Sequence, residues 1–147
     1  MLRSIFQTND DAAALIARLA LGLVILPHGL QKLLGMFGGP GFTGMVDYFV
    51  SSGIPAFLAV LIIIGESFGA LGLIIGFLSR VAAAGINIIM LGAIVTVHVK
   101  FGFFMNWTGT QAGEGFEFHI LAIGLALVVL IKGGGLWSVD RAITKSA

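Results

Sequence analysis

Glu66 is the only charged residue in an apolar run that extends from residue 55 to 78. A carboxylate held among hydrocarbon costs at least a few kcal/mol unless it is paired, protonated or hydrated. It should therefore face inward, where it could handle a proton or hold a ligand. Arg18, Gly22, Ile25, Gly29 and Lys32 recur at intervals of 4, 3, 4 and 3, which places them on one helical face at ~100° per residue. Arg18 is the expected partner of Glu66, in a buried ion pair that fixes helix register. The alternative leaves Glu66 free for proton or ligand chemistry.

A second group of polar residues collects at the opposite end of the apolar segments. His28, Gln31 and Lys32 close one segment, His98 and Lys100 close another, and Glu114, Glu117 and His119 open a third. All three histidines fall at one level, and imidazole titrates near neutral pH and binds metals. Three readings stand here: a solvated rim, a pocket for a polar headgroup, or a metal or haem site. Glu117 and His119 are two residues apart, so they point ~200° apart on a helix and cannot both face one core. With no cysteine in the chain, thiolate ligation is excluded as well, and no metal is expected.

These residues must be positioned by membrane helices. The chain has 147 residues, of which 58% are apolar and 10% charged, with a mean hydropathy of +1.07. A soluble domain carries about 25% charged residues, so soluble enzymes and disordered regulators are improbable. A net charge of +1 gives no basic footprint for nucleic acid. A bilayer core needs about 20 apolar residues per helix, and four segments qualify: 12–34, 55–78, 81–99 and 115–131. The expected architecture is an all-α membrane bundle of four spans, up-down-up-down, forming a single domain over 1–147.

Only Ser79 and Arg80 separate the second and third segments, which predicts a tight antiparallel hairpin. The first connection contains Phe42, Met45, Val46 and Phe49 at helical spacing, which predicts a short amphipathic helix at the interface. Phe101, Phe103, Phe104 and Trp107 suit an aromatic belt. Pro27 should kink the first helix beside His28. Gly65, Gly69, Gly72, Gly76 and Ser79 predict a small-residue packing stripe on the second helix.

Arg3, Arg80, Lys132, Arg141 and Lys145, with Arg18 near a helix end, lie on one side of this arrangement, against Lys32 and Lys100 on the other. The positive-inside rule then places both termini in the cytoplasm. Asp10 and Asp11 precede the first apolar run, and no small-residue cleavage site follows, so a retained anchor is expected rather than a signal peptide. Gly39 to Gly44 fits G-x-G-x-x-G by chance, since no strand precedes it. Asn106-Trp107-Thr108 is an N-x-S/T sequon in the expected outer loop, and a sequon alone does not establish glycosylation.

Several pieces together resemble the DoxX family of small four-helix membrane proteins, over nearly the whole chain. They are ARLALGLVILPHGLQKL (17–33), GESFGALGLIIGFLSRVAA (65–83), MLGAIVTVHV (90–99), the Glu117-Phe118 pair and GGGLWSVDR (133–141). The resemblance implies an inner-membrane location and a link to oxidoreductase complexes at the quinone pool. The family's recurring polar positions fall on Arg18, Lys32, Glu66, Arg80 and Glu117. In this chain no redox centre is encoded, so the expected role is a membrane subunit that binds quinone or anchors a redox enzyme partner. His28, Lys32 and His98 are the candidate headgroup ligands, and Glu66 or Glu117 the candidate catalytic proton carriers. Arg18, Glu66 and Arg80 are the candidate structural polar set. The isoprenoid tail would follow the glycine-lined groove, and a homo-oligomer is compatible with the glycine stripe. A non-catalytic anchor or assembly protein is the second reading and a small transporter the third.

Overall fold

Asp11 starts the first long helix. Its carboxylate accepts hydrogen bonds from the backbone N–H groups of Ala13 (2.8 Å) and Ala14 (3.1 Å), satisfying donors that an N-terminus leaves orphaned. The helix, α1, spans Ala12–Leu34, runs through Pro27 and ends at Gly35, whose φ of 71° is left-handed. The computed structural model describes residues 5–146 and is helical throughout, with no strand among the described residues. Arg3, counted above among the cytoplasmic cations, lies outside them.

After a single turn at Met36–Gly38, the chain forms α2 (Gly41–Ser51), at the place where the apolar spacing predicts a short helix. The second long helix, α3, covers Ala56–Ile75, and the third, α4, covers Ser79–Phe101. A shorter helix, α5 (Glu117–Lys132), follows, and α6 (Val139–Ser146) closes the described chain. Three helices, α1, α3 and α4, are long and apolar enough to cross a membrane. Helix α5 is apolar but has 16 residues, about 24 Å at 1.5 Å per residue, against a core of about 30 Å.

The hairpin differs from expectation. Ser79 and Arg80 are the first residues of α4, and the turn is made by residues 76–78. Gly76 (φ 71°) and Leu78 (φ 50°) are both left-handed, a conformation few branched side chains adopt. Leu78 is held in it because its N–H donates to Asp140 Oδ1 at 2.7 Å.

Helix α3 is interrupted by a π turn at Gly65–Gly69. This wider turn changes the register of everything after it. The glycines expected as one stripe therefore do different things. A Cβ on Gly65 would lie 2.7 Å from Ile89 Cδ1, one on Gly69 would meet open space, and Gly76 ends the helix against Ser138. The close helix contact is made from the other side, by α1. A Cβ on Gly22 would lie 2.9 Å from the Ala70 carbonyl oxygen, and one on Gly29 would lie 2.6 Å from the Ser67 backbone nitrogen. The α1–α3 seam is thus backbone against backbone, and no glycine-lined groove remains open there for an isoprenoid tail.

Small residues fill the other contacts too. Ala14, Ala59, Ala70, Ala83 and Ala126 are fully buried, with Leu21, Ile25, Leu73 and Ile86 between them. Lipid is as apolar as leucine, so helices associate through close packing rather than through hydrophobic expulsion. The large side chains Ile88, Val95, Leu121 and Ile131 point outward.

Candidate functional site

The two ends of the helical assembly treat their polar groups differently. At one end every donor of a buried cation is used. Arg18, 1% exposed, donates from Nε to the Gly134 carbonyl (2.7 Å), from Nη1 to Leu73 (3.0 Å) and Ile74 (2.5 Å), and from Nη2 to Leu136 and Trp137 (3.1 Å each). A guanidinium has five N–H donors, and all five find carbonyl acceptors. Two of these are terminal carbonyls of α3, which carry the negative end of the helix dipole. The others belong to the loop before α6, where a Cβ on Gly134 would lie 2.7 Å from Ser79 Oγ and one on Gly135 2.4 Å from the Asp11 carbonyl.

Asp140, also fully buried, accepts from Leu78 N–H (2.7 Å) and Ser79 N–H (2.8 Å) and so caps α4. It is the anion nearest in effect to Arg18. Arg80 donates to the Gln7 carbonyl at 3.1 Å and to the Leu130 carbonyl. Lys132 pairs with Asp11 at 2.6 Å, and Arg141 pairs with Asp10. The N- and C-terminal segments are thereby stitched together around a plug centred on Arg18.

Arg18 is therefore not the partner of Glu66, and the ion pair expected between them does not form. The partner is Lys32, whose Nζ lies 2.5 Å from Glu66 Oε2, with both side chains largely buried. The same Nζ makes a long contact of 3.5 Å to the His28 carbonyl oxygen. The π turn makes this pairing possible, since it carries Glu66 and Ser67 together into the interior. Gly29, pressed against their backbone, brings the α1 side of the pair within reach.

The histidines gather around this pair. His28 is exposed, is electrostatically coupled to Lys32 and Glu66, and packs 6.1 Å from the Phe118 ring. His119 is 6% exposed, and its ring lies 4.1 Å from that of His98. His98 Nδ1 is 2.8 Å from the Glu114 carbonyl oxygen. A carbonyl only accepts, so this nitrogen donates, which leaves Nε2 as the basic one. Among the described residues, His119 Nδ1 has no hydrogen-bond partner, nor have Ser67 Oγ or either amide atom of Asn87. Among the described residues no group of three His, Cys, Asp or Glu side chains is arranged to hold a metal ion.

Glu117 is turned away from this cluster. Its Oε1 accepts from Met105 N–H (2.8 Å) and Trp107 Nε1 (3.0 Å), pinning the aromatic loop at the mouth of a recess of about 280 Å³ lined by Met105, Trp107, Phe118 and Leu121 as well. Glu114 likewise accepts from Asn106 N–H at 2.7 Å. Lys100 sits over the Phe101 ring at 5.0 Å. The structure thus joins Lys32, Glu66 and His28 in one place, sets His98 with His119 beside them, and assigns Arg18 and Arg80 to the far end.

Three buried polar residues are not marked by the spacing of charges. Asn87 is a polar residue in an otherwise apolar helix face, and that was its only signal. Ser67 is brought inward by the π turn. Asp140 is the acidic residue of the WSVDR segment, whose role depends on Leu78, 62 residues earlier in the chain.

The model of the DoxX family matches residues 13–99, from the first turn of α1 to the last of α4. The chain belongs to the DoxX family. Similar curated proteins extend the likeness to nearly the full length of each partner. "Inner membrane protein YqjF" of Escherichia coli is 27% identical over 136 residues, covering 92% of this chain and 95% of that one. "Putative oxidoreductase CatD" of Bacillus subtilis is 30% identical over 135 residues, covering 92% and 90%. "Uncharacterized membrane protein Rv3486" of Mycobacterium tuberculosis is 34% identical over 150 residues, covering 97% and 88%. No solved structure gives a significant match. This DoxX protein is accordingly a helical membrane protein. The family match includes Arg18, Lys32, Glu66 and His98 but stops before Glu117, His119 and Asp140.

Proposed function

We propose that this DoxX protein is an inner-membrane subunit of an oxidoreductase system and that it binds a quinone headgroup at the Lys32–Glu66 pair. In this reading the chain is one domain of four spans, up-down-up-down, with α5 as the fourth and both termini cytoplasmic. The joined N- and C-terminal segments support that topology, because they lie together at the Arg18 end.

The observation that carries the reading is a buried ion pair with unspent capacity. Lys32 has three ammonium donors and gives its short hydrogen bond to Glu66. Among the described residues Glu66 accepts at Oε2 alone, which leaves Oε1 as an acceptor, and exposed His28 stands beside both. A quinone, when bound, supplies two-electron chemistry coupled to proton uptake. The chain's own residues then have separate tasks. Lys32 orients a headgroup oxygen by donation, Glu66 holds or releases a proton at its carboxylate, and His28 offers a second polar contact at the lipid-facing edge. The chain has no cysteine for an iron–sulfur cluster, and in this reading an associated redox enzyme supplies the electrons.

The test is titration of the purified protein in nanodiscs with short-tailed benzoquinone and naphthoquinone, read by quenching of tryptophan fluorescence. Wild type should bind saturably, and Lys32→Ala should weaken binding at least tenfold, equivalent to about 1.4 kcal/mol. Absence of binding by the folded wild type removes the reading and leaves that of a non-catalytic anchor.

A further inference from the structure

The two ends differ in how a proton could reach Glu66. At the Arg18 end, all five N–H donors of the guanidinium are taken by carbonyls, each Asp140 oxygen accepts from one backbone N–H, and glycine backbones pack closely around them. Arg18 has no N–H donor left to pass a proton onward, and both Asp140 oxygens are held by the backbone that caps α4. At the other end, imidazoles lead inward from the surface. His98 is half-buried and fixed through Nδ1 to the Glu114 carbonyl, so its Nε2 is the basic nitrogen. Its ring lies 4.1 Å from that of His119, which is buried with Nδ1 unpartnered. The His119 ring lies 5.5 Å from that of Phe118, Phe118 lies 6.1 Å from His28, and the His28 carbonyl oxygen is 3.5 Å from Lys32 Nζ, the partner of Glu66.

We infer that His98 and His119 form the proton port of the Lys32–Glu66 site, so that Glu66 exchanges its proton with the His98 end of the membrane and not with the Arg18 end. Two imidazolium rings this close repel each other strongly in a poorly solvated site, so the pair is suited to carrying one proton at a time. His98, whose Nδ1–H is held by the Glu114 carbonyl, takes up and gives up the proton at Nε2, whereas His119, with Nδ1 unpartnered, can accept on one ring nitrogen and release from the other. The charged and titratable groups at this end are His28 and Lys32 from α1, Glu66 from α3, Lys100 from the end of α4, Glu114 from the loop and Glu117 from α5, the last turned toward the loop. Glu117 and Glu114 are engaged by backbone donors of the loop, and Lys100 by the Phe101 ring. The inference rests on Glu66 being a proton-handling group, as the proposed function has it, but it does not require that a quinone bind.

The experiment is infrared spectroscopy of the full chain in oriented proteoliposomes, following the C=O band of protonated Glu66, identified by its loss in Glu66→Gln. A pH step applied at the His98 face should change the band promptly, and the same step at the Arg18 face should not. Removing a positioned proton carrier costs on the order of 10²-fold in rate, so His119→Phe should slow the response by about that factor. His98→Gln, at a half-buried position, provides the second variant should His119→Phe not fold. An equal response from the Arg18 face, an unchanged rate in both variants, or a Glu66 band that never titrates overturns the inference. Quinone titration of the same preparations separates the two ideas, because binding survives a failed port and a working port survives a failure to bind.

Discussion

Lys32 on α1 and Glu66 in the π turn of α3 form a 2.5 Å ion pair, while Arg18, on the same face of α1, is spent wholly on carbonyl groups. The pair is buried on both sides, so losing one member leaves a charge uncompensated. Such losses cost about 3–5 kcal/mol, whereas replacing both members by apolar groups of similar volume is often neutral. Lys32→Met and Glu66→Leu should each destabilise the fold by roughly that amount, and the double variant should recover most of it. Thermal or denaturant unfolding in detergent measures all three. A double variant no more stable than the worse single would show that the two side chains act independently.

Arg18 holds the terminal carbonyls of α3 and the loop before α6 together. Lysine offers three donors in place of five and lacks the planar fork, and hydrogen bonds to charged groups are each worth ~1.5–3 kcal/mol. Arg18→Lys should therefore destabilise by about 3 kcal/mol or more, and Arg18→Ala should fail to accumulate in folded form. Asp140→Asn keeps one acceptor for Leu78 or Ser79 and should be milder than Asp140→Ala. Limited proteolysis of the C-terminal segment would report the loosening directly.

Gly29 and Gly85 offer a contrast between contact and open space. A methyl group on Gly29 would strike the backbone at Ser67 and Glu66, and one on Gly85 meets nothing within 4 Å. Gly29→Ala should cost ~1–3 kcal/mol by overpacking and weaken the Lys32–Glu66 pair by spreading α1 from α3. Gly85→Ala should be neutral or stabilising by ~0.5–1 kcal/mol through helix propensity. Melting temperatures of the two variants, compared with wild type, decide the point.

The terminal segments carry a pH dependence. The hydrogen bond from Arg141 holds Asp10 below its ordinary value of 3.8, and that from Lys132, helped by the cap donors of Ala14 and Ala13, does the same for Asp11. Asp10 in turn raises Arg141. A carboxyl lowered in the folded state stabilises it above the unfolded value and loses that contribution as pH falls through the folded value. Wild type should therefore exceed Asp10→Asn and Asp11→Asn in stability at neutral pH, with the gap closing below about pH 3.8. Unfolding curves at several pH values and low salt would show it, and a gap that persists in acid would refute it.

Composition alone established a helical membrane protein, since no arrangement of so few charges could cover a water-facing surface. The spacing of apolar residues located α1, α2, α3 and α4 closely, because helix period and bilayer thickness are properties of local sequence. It also brought His28, Lys32, His98 and His119 to one level, because a helix converts sequence distance into depth. What only the tertiary structure decided was who meets whom. Position along a helix fixes a face but not the rotation or offset of neighbouring helices, and the π turn at Gly65–Gly69 shifts both. That is why Glu66 met Lys32 and not Arg18. The acceptors of Arg18 are backbone carbonyls, which every residue owns and no sequence motif marks, and Asp140 reaches the start of α4 only after the chain has folded back on itself.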